Sequence, residues 1–329
     1  MAEANMKRVL VVESVNDAGL ALLRARADIE FEVITDNLQS YMDEKIHEFD
    51  GVTLRRMPMT AQLIEKAPRL CVVSRHGVGY DAVDVPALTG RGIPLTIVGD
   101  ANAATVAEHV FFMMLSLARK GFAHDRATRD GDFTIKKNNP TMELFGKTLL
   151  IVGLGRVGKQ VAKRCIGFGF NVLAYDPFID DAEFEHAACQ RVEVLEEGLR
   201  VADVVTLHVP RKANTVNMIN QETLAVMKPT AFLINAARGG IVDEAALFDA
   251  LKAGRLAAAG LDTFVEEPTK ADHPLFALDN LILSPHGAAA PIECEARSAA
   301  RCIQNVLDAF DGRLDQEMVV NPEVLRVPE

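Results

Sequence analysis

Reducing a ketone that stands beside a carboxylate takes three groups: a cation fork for the carboxylate, a proton donor for the developing alkoxide, and a partner that keeps the donor protonated. Arg238, His286 and Glu267 supply those types, each at or shortly after the end of an apolar run in the second half of the chain. Arginine is always charged and binds a carboxylate with two donors, and histidine titrates near working pH. A neighbouring carboxylate favours the imidazolium form, so Glu267 is the expected partner of His286. Arg238 also has a bland reading, an ion pair with Asp243 or Glu244, but its place at a strand end beside a cofactor loop points to catalysis.

The cofactor loop itself lies upstream. The run KTLLIVG (147–153) leads into Gly153-Leu154-Gly155-Arg156-Val157-Gly158 and then into the helical stretch KQVAKRCIGFG. In that order of strand, glycines and helix, Gly153 permits a tight turn and Gly155 lets the backbone approach a pyrophosphate. Gly158 lets the helix pack closely with its first amides toward the phosphates. Arg156 adds a cationic contact. Asp176, at the end of NVLAYD, is placed to accept hydrogen bonds from the adenosine ribose. Its charge repels a 2′-phosphate, and Pro177, Phe178 and Ile179 bring no arginine to offset that, so NAD is expected over NADP.

These groups need a scaffold that gathers strand ends. Short β-branched runs alternate with helical patterns throughout, the mark of parallel βαβ units and an α/β fold. One series comprises 7–12, 29–35, 50–55, 70–75 and 93–98, and reads as a small doubly wound sheet. A second, more apolar series comprises 147–153, 170–176, 202–210, 230–237, 257–264 and 281–286. Its ends carry His208-Val209-Pro210, Ala236-Ala237-Arg238, Asp262 and Ser284-Pro285-His286, and ligands of such sheets bind beyond those ends. Residues 102–120 show helical spacing, 125–140 read as a polar loop, and 293–310 are again helical, with a destination that composition leaves open.

The chain has 329 residues, 49% hydrophobic and 25% charged, the balance of a folded globular protein. A net charge of −11 speaks against a duplex-binding face, so no nucleic acid partner is expected. Five scattered cysteines without CxxC spacing indicate neither a disulfide framework nor a metal site, and fit a reducing cytoplasm. The longest apolar stretch, 110–118, is too short to span a bilayer, so no membrane partner is expected. His47, His124, His186 and His273 read as solvated surface residues, while His109 is open between a cofactor-side contact and a buried interdomain role.

The blocks RHGVGYDAVD, ANAATVAEH, VGLGRVGKQVA, LHVP, INAARGGIVDEAAL, GLDTFVEEP and SPHGA, in this order along nearly the whole chain, resemble the D-isomer-specific 2-hydroxyacid dehydrogenase family. Its phosphoglycerate dehydrogenase and hydroxypyruvate reductase branches are the ones in view. The resemblance implies that Arg238, Glu267 and His286 are catalytic. It places cofactor contacts on Val78, Arg156, Val157, Asp176, Val209, Ala236, Asp262 and the segment from Gly287. It implies two doubly wound domains: a Rossmann NAD-binding domain (102–288) inserted into a smaller flavodoxin-like substrate domain (1–101 plus 289–329), with the cleft between them. The backbone of His76, Gly77, Val78 and Gly79 is then expected to face the substrate carboxylate, with Arg55 or Arg75 reaching a second anionic group.

The chain is accordingly expected to be a cytoplasmic, homodimeric, NAD-dependent oxidoreductase acting on C2 of a small D-2-hydroxy acid or its 2-keto partner, of hydroxypyruvate, glyoxylate or phosphoglycerate type. The alternative is an NAD(H)-responsive binding or corepressor-like protein on the same fold. Glu267 counts against a formate-oxidising branch, where the family pattern has an amide. Two departures concern substrate shape: Gly287 directly follows His286 where the family more often has a larger residue, and Phe133 stands in the interdomain loop of a chain without tryptophan.

Overall fold

A computed structural model describes residues 6–325. Two compact units divide the chain at 102/103 and 289/290, so that the first unit takes both ends and the second lies within it in sequence.

In the first unit the strands β1 (Lys7–Val12), β2 (Ile29–Ile34), β3 (Gly51–Leu54), β4 (Val72–Arg75) and β5 (Leu95–Thr96) form a parallel sheet in the order β2-β1-β3-β4-β5. That is flavodoxin-like winding, reversing between β1 and β3. Both faces of β1 are covered, so Val9 to Val12 are all apolar and buried, whereas edge strand β2 buries only Ile29 and Ile34, with Glu30, Glu32 and Val33 outside the core. Helix Ile292–Phe310 belongs to this unit and packs Ile303, Val306 and Leu307 against Val9, Val11 and Val72. Gly19 permits its close approach to helix Asp17–Arg24, since a Cβ there would stand 2.8 Å from the Ala299 carbonyl oxygen. On the opposite face Leu10, Val12, Val52 and Leu54 pack with Met42, Phe49 and Leu63.

The second unit holds β6 (Thr148–Val152), β7 (Asn171–Tyr175), β8 (Gln190–Arg191), β9 (Val204–Leu207), β10 (Phe232–Asn235), β11 (Ala258–Leu261) and β12 (Leu281–Leu283). They run parallel in the order β12-β11-β10-β9-β6-β7-β8, the dinucleotide-binding winding, which reverses between β6 and β9. Strand β8 has no counterpart among the sequence-predicted strands: two residues at a sheet edge leave no apolar run to find. Residues of β6 point alternately to two cores. Leu149 and Ile151 meet Val110, Met113 and Leu117 of helix Ala103–Arg119, and Leu150 and Val152 meet Leu224, Leu247 and Leu251.

The polar stretch expected as a loop is instead largely helical, as Gly121–Arg129 and Ile135–Asn138. Nothing in the first of these is buried, so it lacks the apolar face by which a helix shows in sequence. An i,i+4 pair, Arg129 Nε and Nη2 on the Asp125 carboxylate at 2.8 and 3.1 Å, supports it instead. Among the described residues no helix is long and apolar enough to cross a membrane.

Candidate active site

The turn after β6 is shaped by three glycines with separate tasks. Gly153 has φ +95°, and a Cβ on it would stand 2.8 Å from the His208 carbonyl, so the glycine lets the β6 turn lie against the end of β9. A Cβ on Gly158 would collide with the Gly153 carbonyl oxygen, which is why the helix starts so close to the turn. Gly155 has nothing within 4 Å of its would-be Cβ, and it heads helix Arg156–Gly167 with no side chain capping the first amides. Asp176, just past β7, accepts from the Leu154 N–H at 3.0 Å and the Phe178 N–H at 3.1 Å. Acid and glycine turn are therefore one hydrogen-bonded piece. An open glycine, uncapped helix amides and an acid at the neighbouring strand end fit the diphosphate and ribose of a dinucleotide. Among the other expected cofactor contacts, Val157 packs partly into the core behind the turn and Val209 into that below β9. The Pro210 carbonyl accepts from Thr215 Oγ1 at 2.7 Å.

The next strand ends converge through short polar bonds. His208 lies 2.9 Å from Thr206 Oγ1 through Nε2, and burial pushes its pKa down to about 3, which disfavours the imidazolium that a general acid needs. After β10, Asn235 folds the chain back: its Nδ2 donates to the Arg238 carbonyl at 2.8 Å and its Oδ1 accepts from the Ala237 N–H at 3.1 Å. This holds Ala236 and Arg238 on one tight bend, whose next residue, Gly239, has no room for a Cβ against the Phe264 carbonyl. The bend after β10 thus presses on the loop after β11, where Glu267 sits.

Glu267 Oε2 is 2.7 Å from His286 Nδ1, and its Oε1 accepts from the Phe264 N–H at 2.9 Å. Burial pushes the Glu267 carboxyl up, but the bonds from His286 and Phe264 and the charges of His286 and Arg238 outweigh it and hold the group below its ordinary 4.5. The charge of Arg238, on the bend that presses on this loop, works on Glu267 in the same direction as that of His286. With Nδ1 engaged, Nε2 is the nitrogen left for proton exchange, on a ring that is half exposed.

The structure gives Asp262 an anchoring task that the sequence did not indicate. Its side chain is fully buried; Oδ1 accepts from Ser284 Oγ at 2.6 Å and the Gly287 N–H at 2.7 Å, and Oδ2 from the Ala288 N–H at 3.0 Å. The His286 N–H donates to the Asp262 carbonyl at 2.7 Å. These bonds grip both sides of His286, which itself has φ +52° in the left-handed region, so Asp262 anchors the loop that presents the imidazole. The Gly287 amide is engaged in this anchor. Ser284 Oγ lies in turn 2.8 Å from His109 Nε2 on helix Ala103–Arg119, and sequence reasoning assigned neither residue to this network. The SPH block held the signal for Ser284; nothing local pointed to His109, a contact across 175 positions.

One further histidine corrects the surface reading. His273 packs against Phe264 and Phe276, with Nε2 3.2 Å from Glu244 Oε2, and Glu244 Oε1 accepts from the Val265 N–H at 2.8 Å. This second acid–histidine pair braces the Glu267 loop. His124 lies 3.2 Å from the Asn139 carbonyl oxygen. In the first unit, Arg55 at the end of β3 is paired with Glu295, and Arg75 Nη1 donates to the Leu54 carbonyl at 3.5 Å. Gly77 has φ +154° and open space around its α-carbon, with half-buried Val78 beside it. Among the described residues no group of three or more His, Cys, Asp or Glu could hold a metal ion.

Comparison with known proteins places this geometry. Residues 111–288 match the family model described as D-isomer specific 2-hydroxyacid dehydrogenase, NAD binding domain. A D-3-phosphoglycerate dehydrogenase of Methanocaldococcus jannaschii is 37% identical over 97% of the chain, which spans only 60% of that protein's length. A glyoxylate reductase of Korarchaeum cryptofilum is 36% identical, covering 97% of both chains. Among solved structures, an NADPH-dependent glyoxylate/hydroxypyruvate reductase of Sinorhizobium meliloti, in complex with NADP and malonate, superposes with a TM-score of 0.86 at 27% identity over 98% of this chain and 99% of that one.

Proposed function

Because the chain belongs to the D-isomer-specific 2-hydroxyacid dehydrogenase family, we propose that it transfers hydride between a nicotinamide cofactor and C2 of a small D-2-hydroxy acid or its 2-keto partner. The observation that carries this reading is the 2.7 Å Glu267–His286 pair, with Arg238 on the bend that presses on the Glu267 loop. The bound cofactor supplies or accepts the hydride. The Gly153–Gly158 turn and the first amides of helix Arg156–Gly167 hold its diphosphate, and Asp176 takes the adenosine ribose.

In the reducing direction Arg238 grips the substrate carboxylate and polarises the ketone, and His286 gives its Nε2 proton to the C2 oxygen as that oxygen gains charge. Glu267 fixes the ring through Nδ1 and stabilises the protonated pair. Oxidation runs the same steps backwards, with His286 taking the hydroxyl proton. Residues 102–288 serve as the cofactor domain, and 1–101 with 289–329 as the substrate domain, with Gly77 and Val78 offering backbone amides to the substrate.

NAD is preferred over NADP in this account, because the Asp176 carboxylate repels a 2′-phosphate and no arginine follows it. The protein acts in the cytoplasm as a homodimer joined through the long helix and its neighbours. There Phe112 and Phe122 stand exposed at 45% and 60%, a patch that a second copy would cover. The test is loss of NADH absorbance with glyoxylate, pyruvate, hydroxypyruvate, phosphohydroxypyruvate and a branched 2-keto acid, with NADPH in parallel. Turnover of at least one acid with NADH favoured is expected. NADH binding with no turnover of any acid would overturn the reading in favour of a cofactor-sensing protein.

A further inference from the structure

In a parallel sheet ligands meet the chain beyond the carboxyl ends of the strands, and in the first unit the ends of β3 and β4 carry Arg55, Arg75 and His76. A guanidinium there is the chemistry that would grip a second anionic group, such as a phosphate ester or a second carboxylate. Arg55 is already held. Glu295, 240 positions along on helix Ile292–Phe310, accepts from both of its terminal nitrogens, Nη1 at 3.3 Å, and the two side chains are only 29% and 22% exposed. A phosphate approaching Arg55 meets a guanidinium whose fork is filled and a carboxylate of its own sign beside it.

His76 completes the arrangement. It is nine-tenths buried, and its Nε2 has no hydrogen-bond partner among the described residues. Burial first, then the charges of Arg55 and Arg75, push it below its ordinary value despite the opposing charge of Glu295. A neutral imidazole exchanges one hydrogen bond with a hydroxyl but offers no charge to an anion. An unpaired polar atom so deep in the protein is costly, and a hydrogen bond to an uncharged ligand group would relieve that cost.

Resting on the proposed 2-keto acid reduction, we infer that the first unit selects substrates whose only anionic group is the carboxylate, with an uncharged group on C2 such as hydrogen or hydroxymethyl, and that Glu295 is the specificity residue that turns away phosphorylated and dicarboxylic acids.

The experiment compares kcat/KM for hydroxypyruvate and for its phosphate ester, with NADH, in the wild type and in Glu295→Gln. The wild type favours hydroxypyruvate by roughly 10- to 100-fold, the scale of one charge-assisted hydrogen bond. Glu295→Gln narrows that ratio by a similar factor, because the amide no longer opposes the phosphate, and adding Arg55→Gln abolishes the gain. A wild-type preference for the phosphate ester, or a ratio unmoved by Glu295→Gln, overturns the inference and leaves the proposed reaction standing. Calorimetric titration of the NAD-loaded protein with D-glycerate and 3-phospho-D-glycerate makes the same comparison without turnover. If no acid of the five-member panel is reduced, the reaction fails, while tighter binding of D-glycerate still supports the charge preference and equal or tighter binding of the phosphate overturns it.

Discussion

Two sets of strand ends, built by the same kind of parallel winding, use an acid in opposite ways. In the second unit Glu267 bonds an imidazole, His286, and the carboxylate stabilises a group whose proton can move. In the first unit Glu295 bonds a guanidinium, Arg55, whose proton cannot move, and the carboxylate cancels a fixed charge. The first arrangement makes proton transfer; the second removes the charge of Arg55 from the edge. Which base the acid meets, rather than how many charges stand at the edge, decides what each edge does to a substrate.

The largest effect expected is at Arg238. Arg238→Gln removes the carboxylate fork and is expected to lower kcat/KM by about 100- to 1,000-fold in steady-state assays, with Arg238→Lys restoring only part because one ammonium cannot bind bidentately. A loss below tenfold would break the contrast, since Arg238 would then be as neutralised as Arg55.

Glu267→Gln is expected to lower kcat by roughly 10- to 100-fold and to move the pH–rate profile of the reduction to lower pH. The reduction consumes the protonated pair, and an amide no longer stabilises that form. An unshifted profile would mean that Glu267 only packs. The same carboxyl also sets a stability dependence. Its folded pKa lies below its ordinary 4.5, so its contribution is complete above that pH and is lost as pH falls through the folded value. Thermal melts of wild type and Glu267→Gln should therefore converge as pH falls through the lowered folded value.

Gly158→Ala separates folding from binding. The new methyl meets backbone, the Gly153 carbonyl oxygen, and should cost about 1–3 kcal/mol in chemical denaturation. Gly155→Ala meets nothing in the fold and should leave stability nearly unchanged while weakening NADH binding. The smallest effect expected is Ser284→Ala, about 1 kcal/mol of stability with kcat falling more than KM rises, because the His286 loop loses one of its anchors.

How much of this could be read from the chain differs between the two edges. Strands β1, β6 and β9 were legible because both of their faces are buried and leave unbroken apolar runs, and β5 was legible within the run 93–98, whereas β8 is a two-residue edge that leaves none. Arg238, Glu267 and His286 were legible because each lies within a few residues of its strand, so the topology rule alone gathers them. Asp262 was found as a strand-end acid, but its second task was not, since only the fold shows that its oxygens face Ser284, Gly287 and Ala288. The Arg55–Glu295 pair was invisible: it joins a strand end to a helix at the other end of the chain, and no spacing rule reaches so far. His273 was misread for a related reason, its polar neighbourhood in sequence hiding the Phe264 and Phe276 rings that enclose it.

The central claim is that His286 carries the proton while taking no essential part in holding the cofactor. The most direct measurement pairs turnover with NADH affinity in His286→Asn, reading binding from the fluorescence of NADH itself because the chain has no tryptophan. The account predicts an NADH Kd within about twofold of wild type and a kcat lower by about 100- to 10,000-fold. Turnover within tenfold of wild type, at unchanged NADH affinity, would contradict it.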